Sequence, residues 1–220
     1  GISLKETKAG TKEEKKSMLK CSLGTDPKNE TIPDGFLSNA TGVRLITYDS
    51  TNDFSTKNVI EADAIVAVFN ELIKEPGEES YKPEDIAVVT PYHDQIDLLN
   101  KKFDKNEKKP YLINTVNKLQ GNERDVIMFS ACASGEEALL RHGSFVLELQ
   151  RTIVAFSRAK KLLIVFASES LLSYIPIEYQ QYQASLLWKN LRDSCIEYPP
   201  PEVQKPSQKR KPPKKVQQQK

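Results

Sequence analysis

The sequence QRTIVAFSRAKKLLIVFAS, residues 150–168, joins a helical pattern to a strand pattern. Its helical part has apolar residues at steps of three and four positions, which is the period of one helix face. These residues are Ile153 and Phe156, and Leu149 directly before the stretch continues the same face. The unbroken apolar run that follows, residues 162–167, is typical of a strand that is buried on both faces. The stretch therefore predicts a helix over residues 147–160 that leads directly into a buried strand.

Four more apolar runs lie upstream of this stretch. They are short, rich in Val and Ile and mostly without alternation, as expected of strands covered on both faces. These predicted strands are residues 44–48, 86–89, 111–116 and 126–131. Helical periods separate the first three of them, over residues 56–74 and 96–103. Strand, helix, strand, helix, strand in this order requires a parallel sheet with right-handed crossovers, so the sequence predicts an α/β domain.

The composition divides the chain into three parts. Residues 1–40 are rich in Lys and Glu, which predicts an irregular or weakly helical connector. Residues 41–195 contain the predicted strands and helices and form the expected domain. Residues 196–220 form a basic tail, in which seven Lys and Arg residues after position 198 face one Glu. Residues 199–220 carry a net charge of +6 and residues 1–198 a net charge of −4, so only the tail has the charge for unaided electrostatic contact with nucleic acid.

Length and composition exclude several classes of protein. A chain of 220 residues with 38% hydrophobic residues can bury a core without disulfide staples. Its three cysteines have neither disulfide nor zinc spacing, which favours a reducing intracellular compartment. No apolar run approaches the roughly 20 residues of a membrane helix, so we expect a soluble chain with no membrane partner. Because it begins at Gly1 and its first methionine is Met18, we expect a piece of a longer polypeptide.

Three polar features stand where a parallel sheet carries functional residues, in the loops and helices that flank the strands. They are TPYHDQ at residues 90–95, NKLQGNERD at residues 117–125, and the pair Arg151 and Arg158. Seven residues along a helix return to within about 20° of the same direction, so the two guanidinium groups would share one face and suit a polyphosphate. Each feature also has a plain alternative: a proline-capped helix start, a connecting loop and a solvated pair of arginines.

Together and in order, these segments resemble the superfamily 1 helicases of the nonsense-mediated-decay and senataxin group. VVTPYHDQIDLL is similar to the TPYxxQ segment of that family, and TVNKLQGNERDVIMFS to motif V with its VDxxQGxExD core. QRTIVAFSRAKKLLIVFAS is similar to motif VI, with its RxNVAxTRAK core. The resemblance runs from about residue 43 to residue 168. It implies a RecA-like P-loop NTPase fold, a parallel sheet sandwiched by helices, as the second motor domain of such a helicase.

The resemblance also implies roles for matching residues. Arg158 stands at the arginine finger of motif VI, the catalytic residue that stabilises charge on the γ-phosphate of ATP. The positions that match nucleotide-binding residues or shape their loop are Gln120, Gly121, Glu123 and Arg151. The positions that lie near nucleic acid are Thr90, Tyr92, Gln95 and Thr115. Three residues depart from the family pattern, which has Asp, Asn and Thr at these places: Asn117, Ile153 and Ser157.

The phosphate-binding loop GxxxxGK[ST] of this fold has no match in the chain, because none of its nine glycines is followed by Lys. We therefore expect a domain that lacks its own P-loop and shares ATP and Mg²⁺ with an N-terminal RecA-like domain of the same polypeptide. The function predicted is the C-terminal half of an ATP-dependent helicase that moves along single-stranded RNA or DNA, and this half alone should not hydrolyse ATP. The alternative is a non-catalytic half-motor that binds nucleic acid or protein as an adaptor.

The tail allows three interpretations. Residues 209–215 have the lysine density of a nuclear import signal, which fits a protein of the nucleus or cytoplasm. Basic tails also bind RNA phosphates by counterion release. A solubilising extension fits the composition equally well.

Overall fold

The computed structural model describes residues 18–23, 32–37, 41–49, 52–74, 80–119 and 123–199. Within these ranges the strands are β1 (Met18–Ser22), β2 (Gly42–Tyr48), β3 (Ile86–Val89), β4 (Leu112–Asn114), β5 (Arg124–Ser130), β6 (Ala159–Ser168) and β7 (Ile196–Glu197). The helices are α1 (Val59–Leu72), α2 (His93–Phe103), α3 (Glu136–Val146), α4 (Leu149–Phe156), α5 (Glu169–Ser173) and α6 (Tyr179–Ser194). Short 3₁₀ helices cover Pro83–Asp85 and Val116–Leu119.

The described strands form one sheet in the order β4-β3-β5-β6-β2-β1-β7, and every neighbouring pair is parallel. Successive residues of a strand point to opposite faces, so each central strand feeds two cores. On β5, Val126 and Met128 belong to one core, and Ile127 and Phe129 to the other. This arrangement confirms the predicted α/β fold with a parallel sheet.

Helices cover both faces of the sheet. On one face α1 and α2 meet, where the rings of Phe69 and Phe103 lie edge to face with centroids 5.1 Å apart. On the other face α3, α4 and α6 pack over β5 and β6, and the fully buried Trp188 contacts Phe129 and Phe156 with ring centroids 6.1 Å away in both cases. Such rings bury large apolar areas and dominate the stability of a core. The two-sided cover gives the sandwich that the RecA-like fold requires.

Two predicted elements are shorter in the structure for a clear physical reason, and one helix was not predicted. The strand expected over residues 111–116 covers only Leu112–Asn114, because the chain then turns into a 3₁₀ helix. The helix expected over residues 147–160 ends at Phe156, because Ala159 already pairs with Arg124 at the start of β6. Helix α3 had no counterpart in the predictions.

The expected connector over residues 1–40 is wrong for the part that the structure describes. Residues 18–22 form β1, an inner strand of the sheet that pairs with β2 on one side and β7 on the other. Leu23 and Phe36 are buried in the core, and the Phe36 carbonyl accepts a hydrogen bond from Nε of Arg44 at 2.8 Å. Residues 196–197, expected in the tail, belong to the sheet as well. Residues 1–17, 24–31, 38–40 and 200–220 lie outside the described residues.

Among the described helices, none combines the length and the apolar composition that a membrane crossing requires.

Candidate functional site

A buried hydrogen-bond network lies at the carboxyl ends of β2 and β5. Glu61, in the first turn of α1, is fully buried. Its Oε1 accepts from the Tyr48 hydroxyl at 2.9 Å, and its Oε2 accepts from Oγ of Ser130 at 2.5 Å and from the Cys132 N–H at 2.9 Å. Burial raises the pKa of Glu61 from 4.5 to about 7, and the hydrogen bonds from these three donors act in the opposite direction. The carboxyl group therefore titrates near neutrality while it joins two strands and a helix.

Gln95 belongs to the same network. Its Oε1 accepts from the Asn58 N–H at 2.8 Å, and its Nε2 donates to the Asn58 carbonyl at 3.0 Å and to Oγ of Ser130 at 3.2 Å. Asn58 in turn caps α1, because its Oδ1 accepts from the Glu61 N–H at 3.1 Å. Gln95 is fully buried, so the expected direct contact with nucleic acid is wrong for this structure. Its amide instead fixes the start of α1 against β5.

Thr90 is also fully buried. Its Oγ1 has no hydrogen-bond partner among the described residues, and its N–H donates to the Asn114 carbonyl at 3.2 Å. Thr90 therefore ties the end of β3 to the end of β4 through its backbone. The expected contact of its side chain with nucleic acid is not available at this level of burial.

A cavity of about 120 Å³ opens beside these strand ends. Each of the three polar features singled out in the sequence contributes to its wall. The lining residues include Pro91, His93, Thr115, Asn117, Phe145 and Arg151. The cavity thus brings together the TPYHDQ segment, the loop after β4 and the first turn of α4, which are remote from each other along the chain.

Arg151 and Phe145 form one wall of the cavity, and Tyr92 packs against Phe145. The Arg151 guanidinium lies over the ring of Phe145, 4.5 Å from its centroid, and its Nε lies 3.1 Å from Oε1 of Glu148. The ring of Tyr92 lies 5.9 Å from that of Phe145, and its hydroxyl donates to the His142 carbonyl at 3.0 Å. The ion pair is part-exposed and so adds little stability, but it sets the direction of the guanidinium.

Arg158 lies at the opposite end of the strands. We call the side of the sheet where the strands begin its amino edge, and the side where they end, beside the cavity, its carboxyl edge. Arg158 follows the end of α4, its N–H donates to the Ala155 carbonyl at 3.2 Å, and its carbonyl accepts from the Arg124 N–H at 3.1 Å. Nε of Arg158 is buried and has no partner among the described residues. The exposed residue Glu123 directly precedes β5, so the backbone brings Glu123 and Arg158 to the same edge. Gln120 and Gly121 lie outside the described residues.

The two arginines therefore belong to different groups of residues. Seven residues at a rise of about 1.5 Å place Arg151 and Arg158 roughly 10 Å apart along the direction of α4. The shared helical face predicted for them is wrong, because the helix ends two residues before Arg158. Arg151 lies with Thr115 and Tyr92 at the carboxyl edge, and Arg158 lies with Glu123 at the amino edge.

Phe145 and Glu148 were not among the predicted site residues. Both orient the Arg151 guanidinium. Glu148 and Arg151 are three residues apart, a spacing that is typical of an ion pair on a helix. No sequence pattern indicates Phe145, because its contact with Arg151 depends on where α3 lies against α4.

Comparisons with known proteins agree with this architecture. Residues 13–170 match the AAA domain family. The mouse protein named DNA replication ATP-dependent helicase/nuclease DNA2 is 30% identical over 158 residues, which are 71% of this chain and 12% of that protein. DNA replication ATP-dependent helicase/nuclease JHS1 of Arabidopsis thaliana is 31% identical over 133 residues, 60% of this chain and 10% of that protein. Helicase sen1 of Schizosaccharomyces pombe is 30% identical over 124 residues, 54% of this chain and 7% of that protein.

The chain spans only about a tenth of the length of these relatives. Its match to the family nevertheless covers most of the chain and includes β1 to β6. With the parallel, two-sided sheet, these matches confirm the resemblance that the motifs indicated. The chain belongs to the AAA domain family and corresponds to the C-terminal, RecA-like motor domain of DNA2/NAM7-like helicases of superfamily 1.

Proposed function

We propose that this chain is the C-terminal half of an ATP-dependent helicase that moves along single-stranded RNA or DNA. The observation that carries the proposal is the position of Arg158 and Glu123. They occupy the motif VI and motif V positions of the family, and the backbone of β5 and β6 brings them to one edge of the sheet. A residue that acts on ATP and one that holds its ribose must lie on the same wall of a cleft.

Arg158 is the proposed arginine finger. A guanidinium group keeps its charge at any physiological pH and donates in a fixed fork, which suits the oxygens of a phosphate. The Arg158 side chain is only partly buried, and its Nε has no hydrogen-bond partner among the described residues. Glu123 is exposed and so accessible to a ribose hydroxyl, and Gln120 and Gly121 would shape the loop that carries Glu123. ATP and Mg²⁺ would be shared with an N-terminal RecA-like domain of the same polypeptide. That domain would hold the phosphates.

The carboxyl edge is the proposed nucleic-acid track. Thr115 and Tyr92 lie at or beside the cavity there, and Arg151 lines it too. Arg151 was expected to contact the nucleotide, but its position favours a contact with nucleic acid. Thr90 and Gln95 would act indirectly, because they hold the strand ends and the start of α1 that form this edge.

Replacement of Arg158 tests the proposal. In the polypeptide that contains both motor domains, Arg158→Ala should lower the kcat of nucleic-acid-stimulated ATP hydrolysis by about 10³-fold or more, the usual effect of an arginine finger. Arg141→Ala is a matched control, since Arg141 is an exposed arginine on α3 whose side chain pairs with Glu137. Equal rates for the Arg158 variant and the control would contradict the assignment.

The chain alone provides a second test. We expect no ATP turnover from residues 1–220, because the sequence contains no GxxxxGK[ST] loop. Turnover that Arg158→Ala removes would overturn this expectation.

A non-catalytic adaptor is the alternative, and the net charge of +6 on residues 199–220 favours it. Such a tail can bind nucleic-acid phosphates without ATP or carry a nuclear import signal at residues 209–215. A GKT-type loop upstream of this chain in the same polypeptide would decide for the helicase. A polypeptide without one would decide for the adaptor.

A further inference from the structure

The cavity at the carboxyl edge has an apolar floor and a polar rim. Its floor is formed by buried apolar side chains of the 3₁₀ helix, β5 and α3: Val116, Phe129 and Val146. Its rim carries the polar side chains of Thr115 and Asn117. A group that fits such a cavity must be apolar over its faces and able to hydrogen-bond along its edges.

The wall beside this floor is a preformed stack. Phe145 is a large apolar residue with 42% of its surface exposed, and the Arg151 guanidinium lies over its ring. Glu148 holds the same guanidinium from its Nε edge. Because two neighbours already fix this group, little conformational entropy remains to be lost when a ligand contacts it.

A phosphate group fits this cavity poorly, because its charged oxygens would meet the apolar floor and would lie near the carboxylate of Glu148, which already pairs with the Arg151 guanidinium. A nucleobase fits well, since aromatic rings and arginine planes are the surfaces on which unpaired bases stack. The edge of a base could then hydrogen-bond with Thr115 and Asn117. The chemistry of the cavity is that of a base-binding pocket.

We infer that the cavity binds one nucleobase of a single-stranded nucleic acid, stacked against the paired side chains of Phe145 and Arg151. The inference rests on the proposed function, which places the nucleic-acid track at this edge. It adds a base contact through α3, a helix that contains none of the three motif segments.

Fluorescence anisotropy tests the inference with the 220-residue chain and two labelled oligonucleotides. One is a 15-nucleotide thymidine strand, and the other has the same length and charge but only abasic sites. A salt concentration near 0.2 M reduces the contribution of the basic tail. Phe145→Ala should weaken binding to the thymidine strand by roughly five- to a hundredfold, the range for loss of one stacked base, and leave binding to the abasic strand unchanged.

Two further variants separate stacking from general damage. Phe145→Trp should keep or increase the preference for the thymidine strand, because indole offers a larger ring for stacking. Leu140→Ala is the matched control, since Leu140 is an exposed apolar residue on the same helix that does not line the cavity. It should bind both strands as the unmodified chain does. Circular dichroism should show the same helix content in all variants.

Three outcomes would overturn the inference. The first is equal binding of both strands by the unmodified chain, and the second is an equal loss on both strands in Phe145→Ala. Either one leaves the proposed helicase function intact, because the Arg158 experiment tests that function separately. The third is an absence of binding to either strand, which would also remove the proposed nucleic-acid track.

Discussion

The buried carboxyl group of Glu61 should make the stability of the chain depend on pH in an unusual direction. The pKa of this group is about 7 in the folded chain and 4.5 in the unfolded chain. Between these values the folded state binds more protons than the unfolded state. The contribution of Glu61 to stability is therefore fully present below pH 4.5 and is lost as the pH rises towards 7. At about 1.4 kcal/mol per pKa unit, the loss amounts to about 3 kcal/mol.

Urea unfolding between pH 5 and pH 8 measures this effect, and the fluorescence of the single tryptophan, Trp188, reports the transition because its ring is fully buried. Glu61→Gln removes the titrating group and keeps a carbonyl oxygen for the donors of Ser130 and Cys132. The variant should lack the decline between pH 5 and pH 7, so the difference between the two proteins should change with pH by up to about 3 kcal/mol. Glu71→Gln, at an exposed glutamate on the same helix, should follow the unmodified chain.

The same pH dependence of unfolding in Glu61→Gln and the unmodified chain would contradict a role for Glu61. Parallel curves would mean that Glu61 does not change its proton occupancy on folding. The other carboxyl groups are the same in both proteins, so their titration changes the stability of both proteins equally.

Further expectations concern the core, one loop and the tail. Trp188→Ala should lower the free energy of unfolding by about 3–5 kcal/mol, measured by circular dichroism in urea, because it leaves a large cavity beside two phenylalanines. Gly135→Ala should cost more than about 1 kcal/mol in the same assay, because φ is +83° there and a Cβ would meet the side chain of Asp53. Removal of residues 199–220 should weaken binding to a single-stranded oligonucleotide by a factor that shrinks as salt rises, and a salt-independent factor would argue against a phosphate contact.

Several elements could be predicted because they carry their own signals. The apolar run at residues 86–89 has the same bounds as β3, since a 3₁₀ helix precedes it and Thr90-Pro91 follows. β1 carries no such signal: its five residues, MLKCS, form neither an unbroken apolar run nor an alternating pattern, and they form a strand because β2 and β7 lie on either side. The end of α4 was missed for a similar reason, because the pairing of Ala159 with β5 ends the helix.

The site was predictable as a set of residues but not as an arrangement. The motifs singled out Arg151 and Arg158 together, yet the two residues lie at opposite edges of the sheet. Which edge a residue occupies depends on the direction of α4 relative to the strands, and side-chain spacing does not contain that information. The burial of Gln95 depends likewise on Asn58, which is 37 positions away along the chain.

The pairing of β1 with β7 has a consequence for the way the chain folds. Leu19 lies opposite Ile196, so this pair closes a loop that includes nearly the whole domain. Contacts between such distant residues form late, because the entropy of closing the loop is lost before the contact contributes. During synthesis, one edge of β1 therefore remains unpaired until the last strand has left the ribosome. A chain that stops before residue 196 keeps that edge open, and an open edge of a strand is a template for aggregation.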